Sequence, residues 1–189
     1  MTTGRAIVLN GSSSAGKTSL ARAVQDRLDG WWLLFGLDTL ITAMPWRMFG
    51  TPDGHTIRAD GSIEIGPGWR LAHDRWRSSV GSLVHAGANV ILDEVFLDGA
   101  EDQVRWRHAL EGLAVTWVGV KCDVEVAAAR EAARGDRVQH MARVQAALVH
   151  EGVDYDVVVD TTALSAEELA PVVIAQVESG GRGTTASLS

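Results

Sequence analysis

The sequence has a single cysteine, Cys122, among its 189 residues. One cysteine cannot form an internal disulfide, and it excludes zinc sites that are built from several thiolates. No apolar run approaches the roughly 18 residues that a membrane-spanning helix needs. No apolar stretch of signal-peptide form precedes the first predicted strand, and we find no repeat with a period of about 20 to 50 residues. We therefore expect a cytoplasmic protein without a membrane span.

Positive charge is also scarce. The net charge is −7 at pH 7, the isoelectric point is about 5.3, and lysine occurs only at Lys17 and Lys121. Proteins that bind nucleic acids or anionic membranes need clustered positive charge to compete for phosphate groups. The composition therefore argues against both kinds of partner, and any basic site must be local.

Short apolar runs alternate with amphipathic stretches along the chain. The apolar runs predict strands at 6–10, 31–36, 89–93, 115–123 and 155–160. The amphipathic stretches predict helices at 18–28, 69–85, 100–110, 124–133, 138–149 and 166–177. Strands that are apolar throughout, each followed by a helix, indicate a parallel sheet covered on both faces. Such sheets bind ligands at the carboxyl ends of their strands, so the residues after each strand are candidates for a site.

Two segments interrupt this alternation. Residues 44–68 are an insertion whose second part, IRADGSIEIG, predicts a hairpin that turns at Asp60 and Gly61. Residues 130–140 contain an arginine-rich break between two helices, which we interpret as a small lid. The Gly-, Ser- and Thr-rich residues 179–189 are typical of a flexible tail. Residues 1–178 are therefore predicted to form one domain.

The stretch GSSSAGKT, directly after the first predicted strand, matches the phosphate-binding motif G-x-x-x-x-G-K-[ST]. Gly11 and Gly16 let the backbone wrap around a polyphosphate. Lys17 reaches the β- and γ-phosphates, and the hydroxyl of Thr18 can ligate Mg²⁺. A Gly/Ser-rich turn with an accidental lysine is disfavoured, because a strand precedes the motif and a helix follows it. The residues predicted to bind ATP here are Gly11, Ser12, Ser13, Ser14, Ala15, Gly16, Lys17, Thr18 and Ser19.

Two carboxylates follow predicted strands. Asp38 lies just after strand 31–36, where it could accept the proton of an alcohol; the alternative is an N-cap for a helix that starts at Thr39. Asp93 ends the strand NVILD in the manner of a Walker-B element, so it is a candidate for holding Mg²⁺ and for contacting the acceptor. Glu94 could serve in its place, and a plain strand-end cap is the alternative for either residue.

Three arginines in REAARGDR are candidates for neutralising phosphate charge. Arg130, Arg134 and Arg137 could swing over a bound nucleotide as part of the lid. The alternative is a solvated helix end in which they pair with Glu131 and Asp136. The six histidines show no spacing typical of a metal site.

Apolar side chains downstream of Asp38 predict a pocket for an acceptor with an apolar or aromatic body. Core packing explains the same cluster equally well. The residues predicted to line this pocket are Met44, Trp46, Met48 and Phe49 in the insertion, with Val95 and Phe96 after the third strand.

Several motifs together resemble the chloramphenicol 3-O-phosphotransferase family. They are LNGSSSAGKTSL, FGLDTLITAMP, ILDEVFLDGA, WVGVKCD, REAARGDRV and VHEGVDYDVVVDTT, in this order over most of residues 5–162. The resemblance implies an α/β fold of the P-loop kinase type. Its three layers would be a five-stranded parallel sheet with helices on both faces, and a small lid would be added. It also implies an ATP-dependent kinase that phosphorylates the primary hydroxyl of the antibiotic.

The resemblance also implies roles for single residues. Lys17 would bind phosphate and Thr18 would ligate Mg²⁺. Asp38 would be the general base, and Arg134 and Arg137 would be the lid cations.

The leading hypothesis is therefore transfer of the γ-phosphoryl group of ATP to a small-molecule alcohol such as chloramphenicol. A kinase of a metabolite of the shikimate or gluconate kind is one alternative. A nucleotide-dependent switch for a protein partner is another, and a GTPase is disfavoured because the chain has no N-K-x-D motif. A homo-oligomer is compatible with the sequence.

Overall fold

The computed structural model describes residues 2–134 and 140–180. Its strands are β1 (Arg5–Asn10), β2 (Trp32–Gly36), β3 (His55–Ile57), β4 (Ile63–Ile65), β5 (Asn89–Glu94), β6 (Ala114–Lys121) and β7 (Val157–Asp160). Its α-helices are α1 (Lys17–Gln25), α2 (Leu37–Ala43), α3 (Pro67–His85), α4 (Ala100–Ala109), α5 (Val124–Arg134), α6 (Met141–Ala146) and α7 (Ala166–Glu178). The main sheet has the order β2-β5-β1-β6-β7 and is parallel throughout, and β3 and β4 form a separate antiparallel hairpin.

Helices cover both faces of the main sheet because its central strands are apolar on both faces. In β1, Ile7 and Leu9 belong to the core that contains α1 and α7. The alternate residues Ala6 and Val8 belong to the core that contains α3 and α4. Side chains alternate between the faces of a strand, so a run without polar positions buries both faces. The predicted three-layer α/β fold is confirmed.

Most predicted elements are confirmed, with shifts at their ends. The predicted strand 155–160 begins at Val157, and the predicted helix 138–149 covers only Met141–Ala146. Helix α2 was considered only in the alternative interpretation of Asp38, as a helix that starts at Thr39 and is capped by Asp38. Its N-cap is Gly36, and Asp38 lies inside the first turn. The N-cap alternative for Asp38 is therefore wrong.

The predicted hairpin is confirmed as β3 and β4. Ile57 pairs with Ile63, and the N–H of Arg58 donates to the carbonyl oxygen of Ser62 at 2.9 Å across the turn. Gly61 has a φ of 84°, which favours glycine. The two ends of the hairpin also meet, because the N–H of Gly66 donates to the carbonyl oxygen of Gly54 at 2.7 Å.

Part of the predicted lid and most of the predicted tail lie outside the described residues. For the lid these are residues 135–139, which include Arg137, and for the tail residues 181–189. Among the helices of the described ranges, none combines the length and the apolar composition that a membrane crossing requires.

Helices α3 and α4 touch through a glycine. A Cβ atom on Gly81 would lie 2.1 Å from the carbonyl oxygen of Ala109. We expect Gly81→Ala to force the helices apart and to lower the free energy of unfolding by about 1–3 kcal/mol, the usual cost of overpacking. Urea unfolding followed by circular dichroism measures this loss.

The matched control is Ser82→Ala at the exposed neighbouring position of α3. We expect it to change the free energy of unfolding by less than about 0.5 kcal/mol. Equal stabilities of the two variants would contradict the close packing of α3 on α4.

Candidate active site

A cavity of about 1080 Å³ opens at the carboxyl edge of the main sheet. Parallel α/β sheets bind their ligands at this edge. We call the part lined by Ser13, Ser14 and residues 16–19 the donor half. We call the part lined by the β3–β4 hairpin, the first half of α3, and Leu97, Asp98, Asp102 and Arg105 the acceptor half.

The phosphate loop, residues 11–18, packs closely against its neighbours. A Cβ atom on Gly11 would lie 2.3 Å from the carbonyl oxygen of Val120, so the position requires glycine. Gly16 has a φ of 84°, which also favours glycine. The carbonyl oxygen of Ala15 accepts a hydrogen bond of 2.7 Å from Oγ1 of Thr161. These contacts fix the course of the loop.

Polar groups of the loop fit a bound polyphosphate. The hydroxyls of Ser13 and Ser14 are buried and have no hydrogen-bond partner among the described residues. Lys17 is buried, and its Nζ donates to the carbonyl oxygen of Ser12 at 2.9 Å. Buried polar groups in folded proteins are nearly always paired. Phosphate oxygens would supply partners for the two serine hydroxyls.

Thr18 and Asp93 meet at one point of the cavity. Oγ1 of Thr18 donates to Oδ2 of Asp93 at 2.5 Å, and Nζ of Lys17 lies 3.8 Å from Oδ1 of Asp93. A hydroxyl and a carboxylate so close together fit Mg²⁺, which takes its remaining ligands from phosphate oxygens and water. Within residues 2–134 and 140–180, no group of three or more His, Cys, Asp or Glu side chains could hold a metal ion.

Glu94, the alternative to Asp93, faces away from the phosphate loop. Successive residues of a strand point to opposite faces. Glu94 is fully buried on the α3 side of the sheet, where its Oε2 lies 3.6 Å from Nε2 of His73. The prediction that Glu94 could replace Asp93 as a metal ligand is therefore wrong.

Asp38 shares the cavity with Asp93. Its exposed side chain lines the cavity from the first turn of α2. In the sheet β2 pairs with β5, and Gly36 lies opposite Asp93. Asp38 therefore lies two residues beyond the strand position that pairs with Asp93, and both carboxylates line the same cavity.

The arginines of α5 approach the donor half. Arg130 is held in place, because its Nη2 donates to the carbonyl oxygen of Thr161 at 2.8 Å and its Nη1 to Sγ of Cys122 at 3.3 Å. Arg134 is exposed at the end of α5, and both arginines line the cavity. Arg137, the third predicted lid cation, lies outside the described residues.

The predicted acceptor pocket needs correction. Val95 lines the cavity, but the other five apolar residues do not contribute to its lining. Trp46 is 85% exposed and packs on Phe49 with ring centroids 5.4 Å apart. Phe96 is buried in the α3/α4 core against Trp117. The residues that were predicted to line the pocket and do not are Met44, Trp46, Met48, Phe49 and Phe96.

An apolar roof covers the acceptor half instead. His55 and Trp69 stack with ring centroids 4.8 Å apart, and Phe49 packs edge-on behind both rings. The insertion at 44–68 was predicted to lie on the acceptor side, but no residue of its hairpin was predicted to line the pocket. The alternating isoleucines of the hairpin were the signal that could have indicated a ligand-facing surface. The roof consists of His55, Ile57, Ile63, Ile65 and Trp69.

A polar wall on α3 and α4 was also missed. Arg77 is buried and donates at 2.8 Å to both Asp74 and Asp102. Arg105 donates to Asp98 at 2.8 Å and to Asp102 at 3.0 Å. The four-residue spacing of Trp69, His73 and Arg77 on α3 was the signal for one shared helix face. The polar wall consists of Arg70, His73, Asp74, Arg77, Asp98, Asp102 and Arg105.

The charges of the polar wall neutralise one another. Arg70 donates to Asp98 at 2.9 Å, so each arginine of the wall has a carboxylate partner. Partial burial acts to raise the pKa of Asp98, but the hydrogen bonds and charges of Arg105 and Arg70 outweigh it and hold that pKa below its ordinary value. The wall therefore offers hydrogen-bonding groups without a net charge.

Solved kinases share this architecture. The chain is similar to the Mycobacterium tuberculosis APS kinase CysC in complex with AMPPNP and APS, with a TM-score of 0.67 over 94% of this chain and 99% of that chain at 17% identity. It is also similar to a shikimate kinase from Acinetobacter baumannii in complex with shikimate, with a TM-score of 0.58 over 94% of each chain at 17% identity. The fold is therefore that of the P-loop kinases.

Sequence comparison gives the family. The family model for chloramphenicol phosphotransferase-like proteins matches residues 4–178. A Mycobacterium tuberculosis (strain H37Rv) protein, whose name assigns it provisionally as an O-phosphotransferase, is 38% identical over 183 residues, which cover 90% of this chain and 80% of the relative. The chain belongs to the chloramphenicol phosphotransferase-like family and is a kinase, as the sequence motifs predicted.

The roof histidine gives a pH-dependent prediction. Burial lowers the pKa of His55 from 6.5, so the unfolded chain binds more protons than the folded chain near that pH. Stability therefore falls as the pH decreases below 6.5, by at most about 1.4 kcal/mol per pH unit for one group. We expect His55→Gln to lose less stability than the wild type between about pH 7.5 and 5.5.

Urea unfolding at the two pH values measures this difference, and other titrating groups cancel between the two proteins. An NMR titration of the His55 ring should give a midpoint below 6.5. Equal losses of stability in both proteins would contradict the burial of a neutral His55.

Proposed function

We propose that the protein transfers the γ-phosphoryl group of Mg-ATP to a hydroxyl group of an uncharged small molecule that binds in the acceptor half. One observation carries this proposal. A single cavity is lined by the phosphate loop, by Asp93 beside Thr18, and by Asp38, and it continues under the apolar roof. A switch protein that binds a nucleotide alone has no use for the acceptor half.

The donor half would hold the nucleotide through residues of this chain. Loop amides and Lys17 would bind the phosphates, and Thr18 and Asp93 would hold Mg²⁺. When bound, Mg²⁺ neutralises charge that develops on the phosphate oxygens. Arg130 and Arg134 would add positive charge from α5. The sequence motif assigns the same role to Arg137, which lies outside the described residues.

Asp38 would act as the general base for the acceptor. Its carboxylate would take the proton of the acceptor hydroxyl while the acceptor oxygen forms a bond to the γ-phosphorus. The bond between the γ-phosphorus and the β,γ-bridging oxygen breaks at the same time, and its electron pair leaves with ADP. The products are a phosphorylated acceptor, ADP and a protonated Asp38.

The acceptor half favours an uncharged molecule with an apolar body. The roof of isoleucines and the Trp69 ring suits an aromatic or aliphatic group, and the polar wall suits hydroxyl or amide groups. An anion such as shikimate or gluconate needs an available cation, whereas the three wall arginines are paired with carboxylates. Chloramphenicol has an aromatic ring, hydroxyl groups and an amide without a charge, and it is our first candidate.

Mass spectrometry of chloramphenicol incubated with the protein and Mg-ATP tests this proposal. A gain of one phosphoryl group supports chloramphenicol as an acceptor. If only shikimate or gluconate gains a phosphoryl group in parallel incubations, the uncharged-acceptor assignment is wrong. If ADP release is not stimulated by any small alcohol of a broad panel, the proposal of a small-molecule alcohol as acceptor is wrong.

The general-base role predicts the effect of Asp38→Asn. We expect acceptor turnover to fall at least about 100-fold, because the amide cannot take the proton. The Kd of Mg-ATP should stay within about twofold, since Asp38 lies outside the donor half. Steady-state kinetics and isothermal titration calorimetry measure the two effects.

The control is Asp29→Asn, an exposed carboxylate outside the cavity lining. It removes the same charge and should leave turnover unchanged. Normal turnover in Asp38→Asn would remove Asp38 from the mechanism, and equal losses in both variants would point to a nonspecific charge effect.

A further inference from the structure

A glutamine on α6 contacts the phosphate loop directly. Oε1 of Gln145 accepts a hydrogen bond of 2.6 Å from the backbone N–H of Ser13. Both residues are buried, Gln145 with 2% and Ser13 with 3% of its surface exposed. The two lie 132 positions apart in the chain, so the contact is made by the tertiary fold.

This hydrogen bond fixes the orientation of the glutamine amide. A backbone N–H can only donate, so the oxygen of the amide must face Ser13. The NH₂ group then occupies the other branch of the amide, and among the described residues it donates to no acceptor. Gln145 lines the cavity, so its two amide hydrogens are available to a ligand there.

Gln145 and Lys17 contact the same peptide unit of the phosphate loop from opposite sides. Lys17, which reaches the β- and γ-phosphates in this motif, donates to the carbonyl oxygen of Ser12, one residue before Ser13. Ser13 and Gln145 line the same cavity as Lys17. The glutamine therefore contacts the phosphate loop from the side of α6, within the cavity that holds Lys17.

Buried contacts hold α6 in this position. Oε1 of Glu131 accepts a hydrogen bond of 3.0 Å from the N–H of Ala142 at the start of α6. Just beyond its end, the carbonyl oxygen of Val149 accepts a hydrogen bond of 2.6 Å from Nδ2 of Asn10. Gln145 thus lies on a short helix that is fixed near both ends, as a preorganised donor requires.

We propose that Gln145 is a catalytic residue whose NH₂ group donates a hydrogen bond to a γ-phosphoryl oxygen of ATP. The inference rests on the proposed function for the identity of the nucleotide. Negative charge spreads over the three outer oxygens of the phosphoryl group during transfer, and a fixed neutral donor stabilises it without repelling Lys17 or the arginines. The role differs from that of a residue that only shapes the loop.

Binding of two nucleotides tests this role without an acceptor. Gln145→Leu removes the donor, and Gln145→Glu keeps an oxygen for the Ser13 N–H while it removes the donor. We expect both variants to bind Mg-AMPPNP about tenfold more weakly, as for the loss of one hydrogen bond to a charged group. Gln145→Leu should bind Mg-ADP, which has no γ-phosphoryl group, within about twofold of the wild type. The negative charge of Gln145→Glu should weaken ADP binding as well, but less than AMPPNP binding. Isothermal titration calorimetry measures all the constants.

The control variant is Arg143→Ala, on the same helix. Arg143 is exposed and pairs with Glu125, and we expect this variant to bind both nucleotides as the wild type does. Thermal unfolding checks that each variant is folded. If Gln145→Leu does not fold, Gln145→Glu decides the test, because it keeps the contact to Ser13.

Three results would overturn the role of Gln145. They are equal weakening of AMPPNP and ADP binding, normal AMPPNP binding in both variants, and normal AMPPNP binding in Gln145→Glu alone. The first result would mean that Gln145 only stabilises the conformation of the phosphate loop. Failure of the wild type itself to bind Mg-AMPPNP would instead overturn the proposed function, so the two failures are distinguishable.

Discussion

One side chain, that of Asn10, joins the loops at the carboxyl edge of the sheet. Its Oδ1 accepts from the N–H of Phe96 at 2.9 Å, and its Nδ2 lies 2.6 Å from both the carbonyl oxygen of Val149 and the hydroxyl of Tyr155. Burial raises the pKa of Tyr155 to about 12. Burial, with the charges of Lys121 and Lys17, lowers the pKa of His150. The protonated hydroxyl can therefore donate to a neutral His150 ring at 2.7 Å. The phosphate loop begins at the next residue, so its position depends on this network.

The sequence predicted the donor half better than the acceptor half, because the two are encoded differently. Glycines, Lys17 and Thr18 stand next to one another between a strand and a helix, so local spacing was enough to identify a phosphate loop. The acceptor half is assembled from the hairpin, α3 and the residues after β5. Apolar composition alone could not tell that Trp46 stays exposed while Trp69 faces the cavity. The error at Glu94 was avoidable, since the two-residue period of a strand separates it from Asp93.

The polar wall and the apolar roof recognise an acceptor in different ways. The wall presents hydrogen-bonding groups whose charges are already compensated, and a charge-compensated surface discriminates by geometry more than by the net charge of the ligand. Its residues lie on α3, on α4 and, for Asp98, just before α4, and the two helices touch at Gly81 and Ala109. Glu94 lies behind the wall next to His73, and neither oxygen of this buried carboxylate accepts a hydrogen bond from the described residues.

The hairpin that forms most of the roof is connected to the rest of the fold in an unusual way. Its ends meet at the hydrogen bond between Gly66 and Gly54. Its strands form a sheet separate from the main one, with an isolated bridge from His55 to Phe49. During evolution, this continuous segment of the chain could therefore be replaced by a different segment. The main sheet and the phosphate loop would keep their contacts, while the size and shape of the acceptor site changed. Related proteins that arose in this way would share the phosphoryl-transfer reaction, because they keep the sheet and the phosphate loop. Their acceptor specificity would differ, because their hairpins differ.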